Sequence, residues 1–137
     1  AFMLSSEDRF TLSWDTGWID GQPDQPFGLI MGQDAENAYF FSDSGNGKVA
    51  VFLMKDGTWQ TNPLEWKPGP EKQGEHGNVN RHRVSWNREV LYWEINGTPV
   101  TEIRPELDFS NLRCGFYVLG RQDVWYDNFR LLEQFDQ

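Results

Sequence analysis

Apolar and polar side chains alternate through residues 79–86 and again through 90–95, the period of a strand with one buried face. The break between them, Asn87-Arg88-Glu89, reads as a turn, because Asn tolerates the positive φ that tight turns require. Asn96-Gly97 is a stronger signal. Such a pair between two apolar runs favours a type I′ turn, whose twist matches that of paired strands. Residues 98–103 return as a third strand. A meander of this kind cannot bury its apolar face alone, so it needs a second sheet.

The remainder of the chain supplies that sheet. Residues 2–4 form a short apolar edge strand, and 10–18 alternate Phe10, Leu12 and Trp14 against Thr11, Ser13 and Asp15. Residues 20–26 are a loop rich in Gly, Pro and Asp. Residues 27–31 are almost wholly apolar and read as a central strand, followed by a polar turn over 32–37. Strands 38–42 and 48–54 flank a turn-rich tip at 43–47. The second of them is apolar on both faces, with Val49, Val51 and Leu53 on one and Ala50, Phe52 and Met54 on the other. Asp56-Gly57 opens a hairpin towards residues 58–60. Residues 61–77 hold three Pro and only Leu64 and Trp66 as large apolar residues, the composition of a long functional or mobile loop. Residues 104–111 form a polar connection anchored by Leu107 and Phe109. Strands 112–119 and 123–135 complete the sheets. In the last one Val124, Tyr126, Phe129 and Leu131 share an inward face only if Asp127-Asn128 forms a bulge. The expected architecture is all-β: two antiparallel sheets packed face to face in one domain over 1–137.

Several segments resemble the concanavalin A-like lectin and glucanase superfamily, and within it the laminin-G-like jelly-roll modules. They are Asn80-Arg81-His82-Arg83-Val84, Leu91-Tyr92-Trp93-Glu94-Ile95-Asn96-Gly97, Gly115-Phe116-Tyr117-Val118 and Tyr126-Asp127-Asn128-Phe129, with Phe27-Gly28-Leu29-Ile30 and Tyr39-Phe40-Phe41 further upstream. The resemblance implies a concanavalin-like jelly roll, one helical turn within 104–111, and an extracellular or cell-surface location. It extends to 3-keto-disaccharide hydrolase-like domains, so sugar hydrolysis enters as an alternative. The fold itself hosts lectins, glycosidases and adhesion modules, so it does not choose among them.

Charge and composition narrow the partners. With 137 residues the chain suffices for one domain that buries roughly two-thirds of its unfolded surface. Twenty-one acidic against 12 basic residues leave a net charge of −9, which argues against nucleic acid and anionic membranes as partners. No apolar run approaches the roughly 20 residues of a membrane span. The single Cys114 excludes an internal disulfide and sits in an apolar strand, as a buried thiol would. No signal peptide is visible from Ala1 onward. Seven Trp, ten Phe and four Tyr either fill a sandwich core or line a binding face.

Catalytic patterns are poorly represented. The glucanase-type run Glu-x-Asp-x-x-Glu is absent, and Glu94 reads as a solvent-facing strand glutamate. In an enzyme, Glu94 with Asp127 or Asp34 could act, and a family with different catalytic positions would escape this test. Only His76 and His82 exist, no Gly-x-Ser-x-Gly elbow appears, and His82 shares strand parity with Val84 and Trp86, as a structural histidine would. These residues form no zinc pattern. For calcium, the resemblance points to Asp127 at the sandwich edge, with Glu7 or Asp8 as further oxygen donors; the alternative is that Asp127 caps backbone N–H groups at the bulge.

Carbohydrate recognition needs exposed rings beside polar side chains. Trp18, Trp59, Trp66 and Tyr92 lie in or beside polar sequence, with Arg81, Arg83 and Glu94 as polar partners. Trp14, Trp86, Trp93 and Trp125 read as core, while Trp59 and Trp66 suit either role. The expected function is a non-catalytic module that binds carbohydrate, or a protein partner, on a sheet face or on the 61–77 loop. A glycoside hydrolase-like enzyme and a structural or adhesion domain without a small ligand are the alternatives.

Overall fold

A computed structural model describes residues 2–4, 9–72, 78–107 and 112–134. Twelve strands follow in order: β1 (Phe2–Leu4), β2 (Arg9–Gly21), β3 (Pro26–Asp34), β4 (Asn37–Ser44), β5 (Lys48–Lys55), β6 (Thr58–Trp59), β7 (Leu64–Pro68), β8 (Asn80–Trp86), β9 (Leu91–Ile95), β10 (Thr98–Ile103), β11 (Leu112–Val118) and β12 (Gln122–Gln134). They form two antiparallel sheets. One has seven strands in the order β1-β11-β3-β4-β5, with both β6 and β7 pairing with β5; the other has five in the order β10-β9-β8-β2-β12. No helix occurs among the described residues. Residues 104–107 form no helical turn, and Phe109 lies outside the described residues.

Alternation decides which side chains meet. Leu29, Met31, Tyr39, Phe41, Val49, Val51 and Leu53 of the seven-stranded sheet interlock with Phe10, Leu12, Trp14, Val84, Leu91, Trp93 and Ile95 of the five-stranded sheet, and all are buried. Cys114 is buried in this layer, as its apolar strand foretold. Burying side chains of this size stabilises by about 1.5–3 kcal/mol each. Tyr126, Phe129 and Leu131 of β12 pack against the same core. They share that face because the pairing of β12 with β2 skips between Asp127 and Arg130, where Asn128 has φ 53°. The bulge inferred at Asp127-Asn128 is therefore present.

Turn chemistry sets the hairpins. Asn96 and Gly97 have φ values of 54° and 79°, and Asp56 and Gly57 have 51° and 74°, the paired positive angles of a type I′ turn. The turn after β8 differs from its expected form. Arg88, not Asn87, takes the positive φ, at 79°. Asn87 works through its side chain: Oδ1 accepts the N–H groups of Glu89 and Val90, both at 2.9 Å. Residues 61–77 are not one loop. Within them β7 pairs with β5, with a register shift between Val49 and Val51. Trp125 is half-buried rather than part of the core, and its ring lies against Gly17, where a Cβ would collide with it.

Candidate functional site

Strand parity sends the expected ligand-binding residues to two opposite outer faces. Arg81, Arg83, Tyr92 and Glu94 occupy outward positions on β8 and β9 of the five-stranded sheet. Trp59 and Trp66 belong to the seven-stranded sheet, on β6 and β7. Trp18 joins neither group. It is half-buried near the end of β2, its ring packs on Gly45, and its indole N–H is buried without a partner among the described residues.

The outer face of the seven-stranded sheet is lined with rings. Ile30, Phe40 and Phe52 stand side by side across β3, β4 and β5, because each is the Cα partner of the next. The Trp59 ring lies tilted at 5.2 Å from Phe40 and edge-on at 6.2 Å from Phe52. Phe52 in turn meets Trp66 edge-on at 5.5 Å, and Phe40 meets Tyr117 edge-on at 5.3 Å. Such tilted geometries suit the ring quadrupole. Trp59 remains 56% exposed in spite of these neighbours. At the Trp66 end the strip meets a polar pocket of about 170 Å³ formed by Asp24, Ser44, Asn46 and Lys48. The sequence predicts a loop around Trp66; β7 fixes it instead on this sheet face.

The opposite face carries a larger cleft of about 550 Å³. Ser13, Asp15, Arg81, Arg83, Glu94, Asn128 and Arg130 contribute side chains to its lining. Asp15 is held there by Arg81 at 3.6 Å and by the Asn128 side-chain amide at 2.8 Å. Tyr92, 41% exposed, lies two residues from Glu94 on the same strand. Asn96, at the rim, has a structural task. Its Oδ1 accepts the Arg81 N–H at 2.8 Å, and its amide donates to Glu71 O and Asn80 Oδ1.

Between the sheets lies a polar group that sequence reasoning only half found. His82 is buried, as its parity with Val84 and Trp86 implied. It stacks on Trp14 at 4.7 Å and on Trp93 at 5.7 Å. The Trp93 indole, which can only donate, gives its N–H to His82 Nδ1 at 3.0 Å. The network therefore assigns the ring proton to Nε2, which donates to Asp43 Oδ2 at 2.7 Å. The composition of residues 43–47 predicts a turn tip, but β4 runs on to Ser44 and keeps Asp43 on the inward parity of Tyr39 and Phe41. That continued alternation was the available signal. The other carboxylate oxygen, Asp43 Oδ1, has no partner among the described residues.

Nearby phenols feel this environment. Burial pushes the Tyr117 hydroxyl well above its ordinary range, opposed by its hydrogen bond with Ser42 and reinforced by the charge of Asp43. Tyr126 is raised by burial first, then by Asp43 and Tyr117, and its hydroxyl donates to Tyr117 O at 2.7 Å. Tyr39 is also raised, chiefly by burial.

Asp127 Oδ1 accepts the Asn128 N–H at 2.8 Å, the capping role at the bulge. Among the described residues no group of three or more His, Cys, Asp and Glu side chains is placed to hold a metal ion. Glu7, Asp8 and His76 lie outside the described residues. Glu94 and Asp127 stand on β9 and β12 with two strands between them, so their backbones are at least about 14 Å apart at a strand spacing of ~4.8 Å. Asp34 belongs to the other sheet, where its Oδ1 accepts the Glu36 N–H and the Asn37 amide.

No protein-family model matches the chain, and no curated protein matches its sequence. Solved structures do match its fold. A human galectin-16 variant is 12% identical, with a TM-score of 0.73 over 96% of this chain and 92% of the other. Sheep galectin-11 in complex with glycerol is 12% identical, with a TM-score of 0.65 over 96% and 95%. The carbohydrate-binding module CBM66 from Bacillus subtilis is 12% identical, with a TM-score of 0.67 over 90% and 74%. The architecture is thus the expected concanavalin-like jelly-roll sandwich.

Proposed function

We propose that this domain is a non-catalytic saccharide-binding module, and that its platform is the ring-lined outer face of the seven-stranded sheet. One observation carries the reading: Trp59 stays more than half exposed while Phe40 and Phe52 brace it from the sheet. A braced indole offers a flat apolar surface to the CH-rich face of a sugar, at little cost in side-chain ordering. From Trp59 the rings run through Phe52 to Trp66. Asp24, Asn46 and Lys48 then supply donors and acceptors for hydroxyls at the far end. The galectins and the carbohydrate-binding module, similar to this chain in fold, agree with the reading.

The test is a titration of tryptophan fluorescence with a panel of neutral oligosaccharides. Binding should shift the emission, and Trp59→Ala should remove both the shift and the affinity without lowering the melting temperature. If every sugar that binds does so equally well to Trp59→Ala, the platform lies elsewhere. Turnover of those sugars by the isolated domain would refute the non-catalytic reading.

A further inference from the structure

On the face opposite the rings, Arg130, Ser13, Arg83 and Glu94 form one row across β12, β2, β8 and β9, each the Cα partner of the next. All four line the cleft of about 550 Å³. Among the described residues none of the four side chains makes a hydrogen bond or an ion pair. Arg83 stands directly across from Glu94, yet no ion pair within 4.0 Å joins them. The adjacent row behaves differently, because there Arg81 and Asn128 already engage Asp15. A chain of net charge −9 thus gathers three arginines against two carboxylates in one cleft, and two of those arginines have no partner among the described residues.

The chemistry of the row is directional. Ser13 is small, so the guanidinium groups rising from the strands on either side, with backbones about 10 Å apart, can close over it. Planar forks of this kind match a carboxylate or a sulfate oxygen for oxygen. At the other end Glu94 repels a second anionic charge and accepts hydrogen bonds from hydroxyls. Tyr92 adds an exposed ring two residues further along β9. A simple inorganic anion uses only the arginine half of this arrangement, and a neutral sugar only the other half.

We propose that this cleft is a second ligand site, and that it takes an acidic saccharide unit. The carboxylate or sulfate ester lies between Arg83 and Arg130, and the hydroxyls face Glu94. The site lies on a different face from the Trp59 platform and does not depend on it.

The experiment is calorimetric titration of the whole domain in a Trp59→Ala background, which silences the ring face. The probes are an oligouronate, a sulfated neutral oligosaccharide, its unsulfated form, and inorganic sulfate. At least one acidic oligosaccharide should bind, and which one identifies the anionic group. Arg83→Gln and Arg130→Gln should each weaken that binding about tenfold or more, the loss expected for one charge-assisted bond. Affinity should also fall as salt rises. Both arginines are exposed, and unchanged melting temperatures would show that the variants stay folded. Should one variant misfold, the other and the salt series decide. The proposal is overturned if no acidic oligosaccharide binds, if the unsulfated probe binds as tightly as the acidic ones, if the arginine variants bind normally, or if inorganic sulfate matches the acidic oligosaccharides.

Discussion

Replacing His82 with Phe isolates the polar contribution of the buried core. The substitution keeps a flat ring between Trp14 and Trp93, so the stacks at 4.7 and 5.7 Å retain most of their packing. What it removes are two hydrogen bonds, the 3.0 Å bond from Trp93 and the 2.7 Å bond to Asp43. The orphaned indole N–H costs about 1–3 kcal/mol. The carboxylate suffers more, since Asp43 Oδ1 already lacks a partner among the described residues and Oδ2 loses its only one. A buried carboxylate left with no compensating donor costs about 3–5 kcal/mol. The expected loss is therefore about 4–8 kcal/mol, against a total of about 5–15 for a typical domain. Adding Asp43→Val should reverse most of it. Valine suits a strand, and only the indole penalty of about 1–3 kcal/mol then remains. Urea unfolding followed by tryptophan emission measures both variants, and the pair closes a double-mutant cycle. The reasoning is refuted if His82→Phe costs less than about 1 kcal/mol, or if Asp43→Val deepens the loss instead of relieving it.

Three further outcomes follow from particular contacts. Tyr39, Tyr117 and Tyr126 have folded pKa values raised above the ordinary phenol value of 10.0, so their contribution to stability is fully present below that pH. It is lost as the pH climbs from there towards their folded values, because the unfolded chain releases the protons first. Melting temperatures should fall above pH 10, and less steeply in Tyr117→Phe; an identical slope would remove the cause. Gly28→Ala should destabilise by about 1–3 kcal/mol or more, because a Cβ there would overlap Phe41 O on the paired strand; denaturant midpoints check this. Asn96→Ala should cost about 1–3 kcal/mol, since it leaves the Arg81 N–H uncapped and puts alanine at φ 54°, and amide exchange at Arg81 should quicken.

Much of the sandwich could be read from alternation and turn residues alone. Asn96-Gly97 and Asp56-Gly57 specify their hairpins locally, and the odd phase of β12 reveals its bulge, because one missed beat puts Tyr126 and Phe129 on the same side. What could not be read depends on distant pairing. β7 looks like loop, since Pro63 precedes it, Pro68 ends it, and none of its Cα partners on β5 is a close neighbour in sequence; pairing with β5, not propensity, makes it a strand. Asp43 looked like the start of a turn because acidic residues favour turns. Its partner His82 is 39 positions away, so nothing local marks it as core. The functional residues divided for the same reason. Parity states that Arg83 and Glu94 point the same way on neighbouring strands. It does not state that Trp59 and Trp66 stand on the far side of the molecule.

The rims of both sheets share one property with consequences for solubility. The seven-stranded sheet is bounded by β1 with three residues on one side and by β6 with two and β7 with five on the other. In the five-stranded sheet, the outer strand β10 contains Pro99, which has no N–H to offer, beside a register shift, and β12 is broken by its bulge. A foreign strand seeking to zip onto either layer would find no long uninterrupted ladder of donors and acceptors among the described residues. Amyloid-like stacking of native molecules is thereby discouraged at the margins, which leaves the two broad faces free to carry exposed rings and unpaired charge.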